Sequence, residues 1–161
     1  MLRTVSRSVA AALSFAILQH RATARDRSAV TAIEFAIAAP VILAIGTGMI
    51  KFGVAMTHYL MLTYAAEQGA TTIALSRGTA TPYGTTTTAI NNAAPSLTAA
   101  SITKTIRLNG TACTSDATCS AALVAGQTAQ VTLSYPCDLS VMGVDFKPSC
   151  SLSAQTAQMV Q

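Results

Sequence analysis

A long apolar run carries two charges in this sequence: residues 28–54 read SAVTAIEFAIAAPVILAIGTGMIKFGV, with Glu34 near the start and Lys51 near the end. The residues from 35 to 50 carry no charge. As a helix rising ~1.5 Å per residue they would extend about 25 Å, against a hydrocarbon core of roughly 30 Å. The run therefore predicts a membrane-spanning helix whose Lys51 side chain extends to the outer headgroups.

The helical pattern continues past the apolar run. Residues 32–76 form one predicted helix, which Pro40 should bend because proline removes an i→i−4 hydrogen bond. The helix is expected to end at Arg77-Gly78, a terminal cation followed by a glycine. The segment 35–66 alone would extend about 48 Å, more than a span needs. Its later part, from residue 54 onward, is therefore predicted to leave the bilayer and to lie in or against another structure.

The excess positive charge lies in the N-terminal segment. Residues 1–29 hold five arginines and one aspartate, a net charge of +4, whereas residues 30–161 hold five basic and five acidic residues. This distribution predicts a cytoplasmic leader over 1–29 and argues against nucleic-acid binding, which needs a basic face on a folded domain. The segment also fits a secretory signal peptide, with Ala22-Thr23-Ala24 as its cleavage signal.

The chain beyond the long helix changes character. Residues 77–100 are predicted to form a Thr-rich loop with a short helix over 88–97. An alternation of period two then predicts a β-rich domain over 101–161. The expected fold class is α+β, with a hydrophobic helix over 30–76 and a small antiparallel sheet. The predicted strands are 102–108, 127–135 and 150–160, with a turn at Asn109-Gly110.

Four cysteines lie in the last third of the chain: Cys113, Cys119, Cys137 and Cys150. An even count beyond an apolar segment predicts two disulfides in an oxidising compartment. Of the three possible pairings, we favour the sequence-local one, because short loops close at the least entropic cost. A zinc site is the alternative, but no C-x-x-C pair occurs and both histidines lie far upstream.

The sequence offers no catalytic constellation. It has no nucleophile elbow, no paired carboxylates, no Gly-rich phosphate loop and no metal-ligand spacing. His58 lies in the predicted long helix, where a packed or interfacial histidine is expected rather than a general base. We therefore expect no enzymatic activity, no cofactor and no metal.

Two features of the apolar run require a physical reason. Glu34 can be favoured by the helix macrodipole near the headgroups, or it can be neutralised by a partner within the membrane. Small residues recur at steps of four and would allow close helix–helix approach, although an alanine-rich helix can also show this by chance. They are Ala32, Ala36, Pro40, Ala44 and Gly48.

Three blocks of this sequence resemble the TadE-like family. They are RSAVTAIEFAIAAP at 27–40, GMIKFG at 48–53 and YAAEQGA at 64–70. The segment VTLSYP at 131–136 is also similar to the distal strand of that family. TadE-like proteins are pseudopilins of bacterial tight-adherence (Flp, type IVc) pili. The resemblance implies a minor structural or assembly subunit that supports pilus biogenesis and surface adhesion.

The resemblance also implies roles for individual residues. A prepilin peptidase would cut between Ala29 and Val30, which makes Glu34 the fifth residue of the mature chain. Ala29 stands where the family usually has glycine. Glu34 would then pair with the new N-terminal amine of a neighbouring subunit and so direct subunit docking.

The implied location is the bacterial inner membrane, with the N-terminus in the cytoplasm and the C-terminal domain in the periplasm or in a pilus. The implied partners are the lipid bilayer, other pilin subunits, the prepilin peptidase and the pilus platform proteins. The alternative function is a signal-peptide-processed or membrane-anchored extracytoplasmic binding module that never enters a filament.

Overall fold

The computed structural model describes the backbone of residues 2–141 and 143–161, and the side chains of that part of the chain from residue 29 onward. The leader side chains, including the alternative signal Ala22-Thr23-Ala24, lie outside the described residues. The chain divides into two compact units, Met1–Gly46 and Thr47–Gln161.

The elements are α1 (Leu2–Leu75), α2 (Pro82–Ala93), a 3₁₀ turn (Ala99–Ser101), β1 (Thr103–Leu108), β2 (Thr111–Cys113), α3 (Asp116–Ala122), β3 (Thr128–Pro136), β4 (Ser140–Val141), β5 (Val144–Asp145) and β6 (Ser151–Met159).

The side chains of the first unit are described from residue 29 to residue 46, and all of these residues belong to α1, with Pro40 inside the helix. Its large apolar side chains project around the whole circumference, whereas an amphipathic helix of a soluble domain confines them to one stripe. More than half of each is exposed: Val30, Ile33, Phe35, Ile37, Val41, Ile42, Leu43 and Ile45. Such a surface matches a hydrocarbon environment rather than water.

The second unit is built on the last third of α1. The buried residues of this part recur at steps of three and four, as expected for one helix face packed on a core. They are Leu62, Ala65, Ala66, Gly69, Ala70, Ile73 and Ala74. Most of them are small, which brings the helix axis close to the other elements. A Cβ atom added at Gly69 would lie 2.7 Å from Ile90 Cγ1 of α2 and 3.4 Å from Val131 Cγ1 of β3.

The sheet of the second unit is antiparallel, with strand order β2-β1-β3-β6. Alternate residues of its strands face the core, including Ile106 and Leu108 on β1, and Val131 and Leu133 on β3. The three predicted strands are present as β1, β3 and β6, and the α+β prediction is confirmed. The Asn109-Gly110 turn joins β1 to β2, and both residues have positive φ, as its type requires.

Two disulfides connect the smaller elements to the sheet. Cys113 of β2 bonds to Cys119 of α3, and Cys137 after β3 bonds to Cys150 before β6. This is the sequence-local pairing. The second bridge closes the segment that contains the β4–β5 hairpin, in which Ser140 pairs with Asp145.

The second helix differs from the prediction. It begins at Pro82 rather than at residue 88, and it ends at Ala93. Proline fits the first helical position because an N–H there has no partner within the helix. The Thr81 side chain makes no cap bond; Asp116 Oδ1 instead accepts the Gly84 N–H at 2.9 Å, from 32 residues away. The helix start therefore depends on a tertiary contact that no local pattern reveals.

Candidate functional site

The most distinctive surface among the described side chains is the apolar part of α1 from residue 29 onward. By length and composition, α1 can cross a membrane between Ala29 and Leu75, with a mean hydropathy of 2.1 in its most apolar window and none of that window buried. The core of the second unit begins at Leu62. Residues 29–61 thus hold no fully buried side chain. The upstream part of this helix is a membrane-anchor candidate, as predicted.

Glu34 lies on this apolar surface. Its neighbours Ile33, Phe35 and Ile37 are each more than 60% exposed, and Glu34 is exposed as well. Within residues 29–141 and 143–161, its carboxylate takes part in no salt bridge. An ionised carboxylate in a bilayer is costly unless a cation or hydrogen-bond donors offset the loss of water. Glu34 would therefore need a cation or hydrogen-bond donors if this part of α1 lies in a bilayer.

Val30 lies one helical turn before Glu34, so the two side chains occupy the same helix face. Ala29, on the other side of the expected cleavage site, is exposed, as is Val30. The residues of the expected processing and docking site are thus adjacent on one helix.

The small-residue stripe also lies on the exposed helix. Ala36 and Pro40 are exposed, and Ala44 and Gly48 are partly exposed. A Cβ atom added at Gly48 meets nothing within 4 Å. Because its side chains are small, another helix could pack closely against this stripe.

A second cluster lies where the apolar run ends. Lys51 Nζ donates a hydrogen bond to Asp138 Oδ2 and forms a salt bridge with it. Asp138 Oδ1 accepts from the Ser140 hydroxyl at 2.6 Å and from the Ser140 N–H at 2.9 Å. The Lys51 ammonium, followed by the Ser140 donors, holds the pKa of Asp138 well below its ordinary value. The sequence analysis predicted that Lys51 reaches the outer headgroups. It did not identify Asp138 as a partner of Lys51, because the two residues are 87 positions apart.

Two further contacts continue along α1 between Lys51 and the core. The His58 and Tyr135 rings meet edge to face, with centroids 5.5 Å apart and an interplanar angle of 80°. Met61 Sδ accepts a hydrogen bond from the Ser96 hydroxyl at 2.6 Å. His58 is therefore a packed histidine, as expected. Lys51 precedes His58 on α1, whereas its partner Asp138 follows Tyr135, the partner of His58, so the chain at the end of β3 runs antiparallel to α1.

One open groove lies between α2 and α3. It is lined by Thr81, Gly84, Thr85, Thr88, Ala89, Asn92 and Asp116. The only carboxylate among these residues is Asp116, whose Oδ1 already caps α2. In the part of the chain that the structure describes, no three His, Cys, Asp or Glu side chains form a metal-binding group.

Comparison with known proteins gives a family match for part of α1 and none for the sheet. Residues 29–71 match the family model described as TadE-like protein, which confirms the resemblance drawn from the sequence. The match extends from the exposed apolar part of α1 into its buried face. Neither the curated proteins nor the solved structures yield a match to this chain.

Proposed function

We propose that this chain, whose residues 29–71 are TadE-like, is a pseudopilin: a minor structural or assembly subunit of a bacterial tight-adherence pilus. One observation carries the proposal. The TadE-like match coincides with a helix that is apolar and largely exposed in its first part and packed against a disulfide-bonded domain in its second. A helix of this kind can reside in the bilayer and then in the core of a filament without changing its fold.

The proposed location is the inner membrane, with residues 30–50 in the bilayer. The net charge of +4 over residues 1–29 supports a cytoplasmic N-terminus. Two disulfides support an oxidising compartment for the C-terminal domain, which is the periplasm in this proposal. The role is structural rather than enzymatic.

Processing by a prepilin peptidase between Ala29 and Val30 would create a new N-terminal amine on α1. In the proposed filament this amine pairs with Glu34 of a neighbouring subunit. Each charge then offsets the desolvation of the other, and an unpaired charge in an apolar groove penalises contacts in a wrong register. The exposed Glu34 carboxylate supports this role because it has no salt-bridge partner within the described residues.

Other pilin subunits are the proposed partners of the small-residue stripe. Without a hydrophobic driving force in lipid, helices associate by close packing, which small side chains permit. The platform proteins of the pilus system would contact the same chain while it is still in the membrane.

The experiment is the N-terminal sequence and intact mass of the protein purified from membranes without reducing agent. We expect a chain that begins at Val30 and is lighter by about four hydrogens, for two disulfides. A chain that begins at Arg25 would contradict pseudopilin processing and favour the secreted or anchored binding module. An uncut chain would limit the role to an anchored assembly factor.

A further inference from the structure

The segment enclosed by the Cys137–Cys150 disulfide displays apolar side chains. It contains the β4–β5 hairpin, in which Val141 pairs with Val144. Val144 is 61% exposed and Phe146, just after β5, is 72% exposed, the highest value of any large apolar residue described. These two side chains contribute nothing to the core of the second unit. An apolar surface of this kind, with a phenylalanine exposed to solvent, indicates a contact with something outside the domain.

A salt bridge between Lys51 and Asp138 positions the hairpin along α1. Asp138 opens the disulfide-enclosed segment and binds Lys51, and Ser140 of β4 donates two hydrogen bonds to the same carboxylate. The hairpin base is therefore held at the level of Lys51. In the chain, Lys51 immediately follows residues 30–50, which extend ~31 Å as a helix and match a hydrocarbon core of roughly 30 Å. Lys51 then marks the outer boundary of the hydrocarbon.

We propose that the β4–β5 hairpin is a membrane-contact element, which inserts Val144 and Phe146 into the outer face of the bilayer that holds α1. The inference rests on the proposed membrane insertion of residues 30–50. Interfacial binding scales with the apolar area that enters the headgroup region, and aromatic rings are favoured there. Lys147 follows Phe146 directly and supplies a cation for anionic headgroups. The disulfide and the Lys51–Asp138 salt bridge limit the motion of the hairpin relative to the helix.

The chain offers a clean optical test because it has no tryptophan. Single-tryptophan variants of the full chain are reconstituted in phosphatidylethanolamine/phosphatidylglycerol vesicles, with or without brominated acyl chains that quench nearby tryptophan. F146W reports on the hairpin. I42W reports on the membrane segment, where Ile42 is 65% exposed.

V124W is the matched control at the other end of the second unit. Val124 is 55% exposed, and it lies next to a loop in which the Gly126 N–H bonds to the Val160 carbonyl. The following residue, Gln161, bonds to the Ala74 carbonyl. Ala74 lies ~35 Å along α1 from Lys51, far beyond the headgroups.

We expect brominated lipid to quench I42W and F146W, with a blue-shifted emission for both, and to leave V124W unchanged. Adding Asp138→Asn to F146W should reduce its quenching, because the hairpin base loses its contact with Lys51. Undiminished quenching in that double variant would overturn the role of the salt bridge.

Two outcomes would overturn the membrane contact itself. If I42W is quenched while F146W behaves like V124W, the anchor stands and the hairpin inference fails. If F146W is blue-shifted but insensitive to brominated lipid, Phe146 is buried against protein, such as a second copy of this chain. Loss of quenching at I42W as well would instead refute the membrane insertion on which both proposals depend.

Discussion

Lys51 of α1 and Asp138 of the disulfide-enclosed segment form a salt bridge across 87 residues of sequence. The contact lies where the apolar run ends, and it connects the helix to the hairpin of the C-terminal domain. The two side chains are 40% and 62% exposed, so water screens the pair and its main effect is on position rather than on stability. It joins the disulfide-enclosed segment to the part of α1 that follows the apolar run.

The pH dependence of this contact follows from the lowered pKa of Asp138. The ordinary value is 3.8, and the Lys51 ammonium and then the Ser140 donors lower it in the folded protein. A lowered carboxyl pKa stabilises the fold above the ordinary value, and this contribution disappears as the pH falls through the folded value. We expect the difference in melting temperature between wild type and Asp138→Asn to be small and constant above about pH 5, and to shrink in stronger acid. A difference that vanished near neutral pH would contradict the assignment.

Neutralising Glu34 should separate membrane insertion from assembly. Glu34→Gln keeps the side-chain size and removes the charge, so the chain should still enter the membrane fraction. Breaking a desolvated ion pair costs about 3–5 kcal/mol, enough to lower incorporation into pili by roughly a hundredfold. The measurement is the amount of this chain in sheared pili relative to membranes.

Asp145→Asn is the control for Glu34→Gln, since it removes an exposed carboxylate of the C-terminal domain. It should leave incorporation unchanged. Normal incorporation of the Glu34→Gln chain would refute the pairing with a neighbouring amine.

Gly69 provides a test of the packing between α1 and α2. A Cβ at this position would lie 2.7 Å from Ile90 Cγ1 and 2.9 Å from Ile90 Cδ1. Gly69→Ala should therefore destabilise the domain by about 1–3 kcal/mol through overpacking, reduced by the better helix propensity of alanine. Thermal unfolding of the detergent-solubilised protein measures the effect.

Gly53→Ala is the matched control for this change, because a Cβ at Gly53 meets nothing within 4 Å. It should stabilise α1 by roughly 0.5–1 kcal/mol. If Gly69→Ala and Gly53→Ala changed the stability equally, the contact between Gly69 and Ile90 would not be tightly packed.

Asp116 should stabilise the start of α2 from a distance. Its carboxylate accepts the Gly84 N–H at 2.9 Å, in place of a cap from the Thr81 side chain. Asp116→Ala should destabilise the domain by about 1 kcal/mol, the usual cost of losing a helix cap. Hydrogen exchange of the first turn of α2 should increase in the same variant.

Thr81→Ala provides the comparison at the local cap position, and its effect should be smaller than that of Asp116→Ala. If the threonine variant were the more damaging of the two, α2 would be capped locally and the distant contact would be incidental.

Hydropathy and local chemistry were sufficient for the main elements. The apolar run predicts α1, and the alternating runs predict β1, β3 and β6, because both periods follow from backbone geometry. Asn109-Gly110 predicts its turn since glycine and asparagine tolerate positive φ. The pairing of Cys137 with Cys150 follows the entropic preference for short loops.

The smaller elements depend on contacts that have no local signal. The strands β4 and β5 have two residues each, too few to show a period. The start of α2 depends on Asp116, which lies 32 residues beyond Gly84.

In the candidate functional site, some features follow from the amino-acid order alone, and others follow from where the tertiary structure places the residues. The apolarity of residues 29–50, the charge of Glu34 and the small-residue stripe are properties of the amino-acid order, because a helix turns order directly into a surface. The sequence alone determined the TadE-like helix for that reason. Only the tertiary structure could place Asp138 on Lys51 and show that Phe146 is left exposed, since both depend on how the chain beyond α1 folds back and packs.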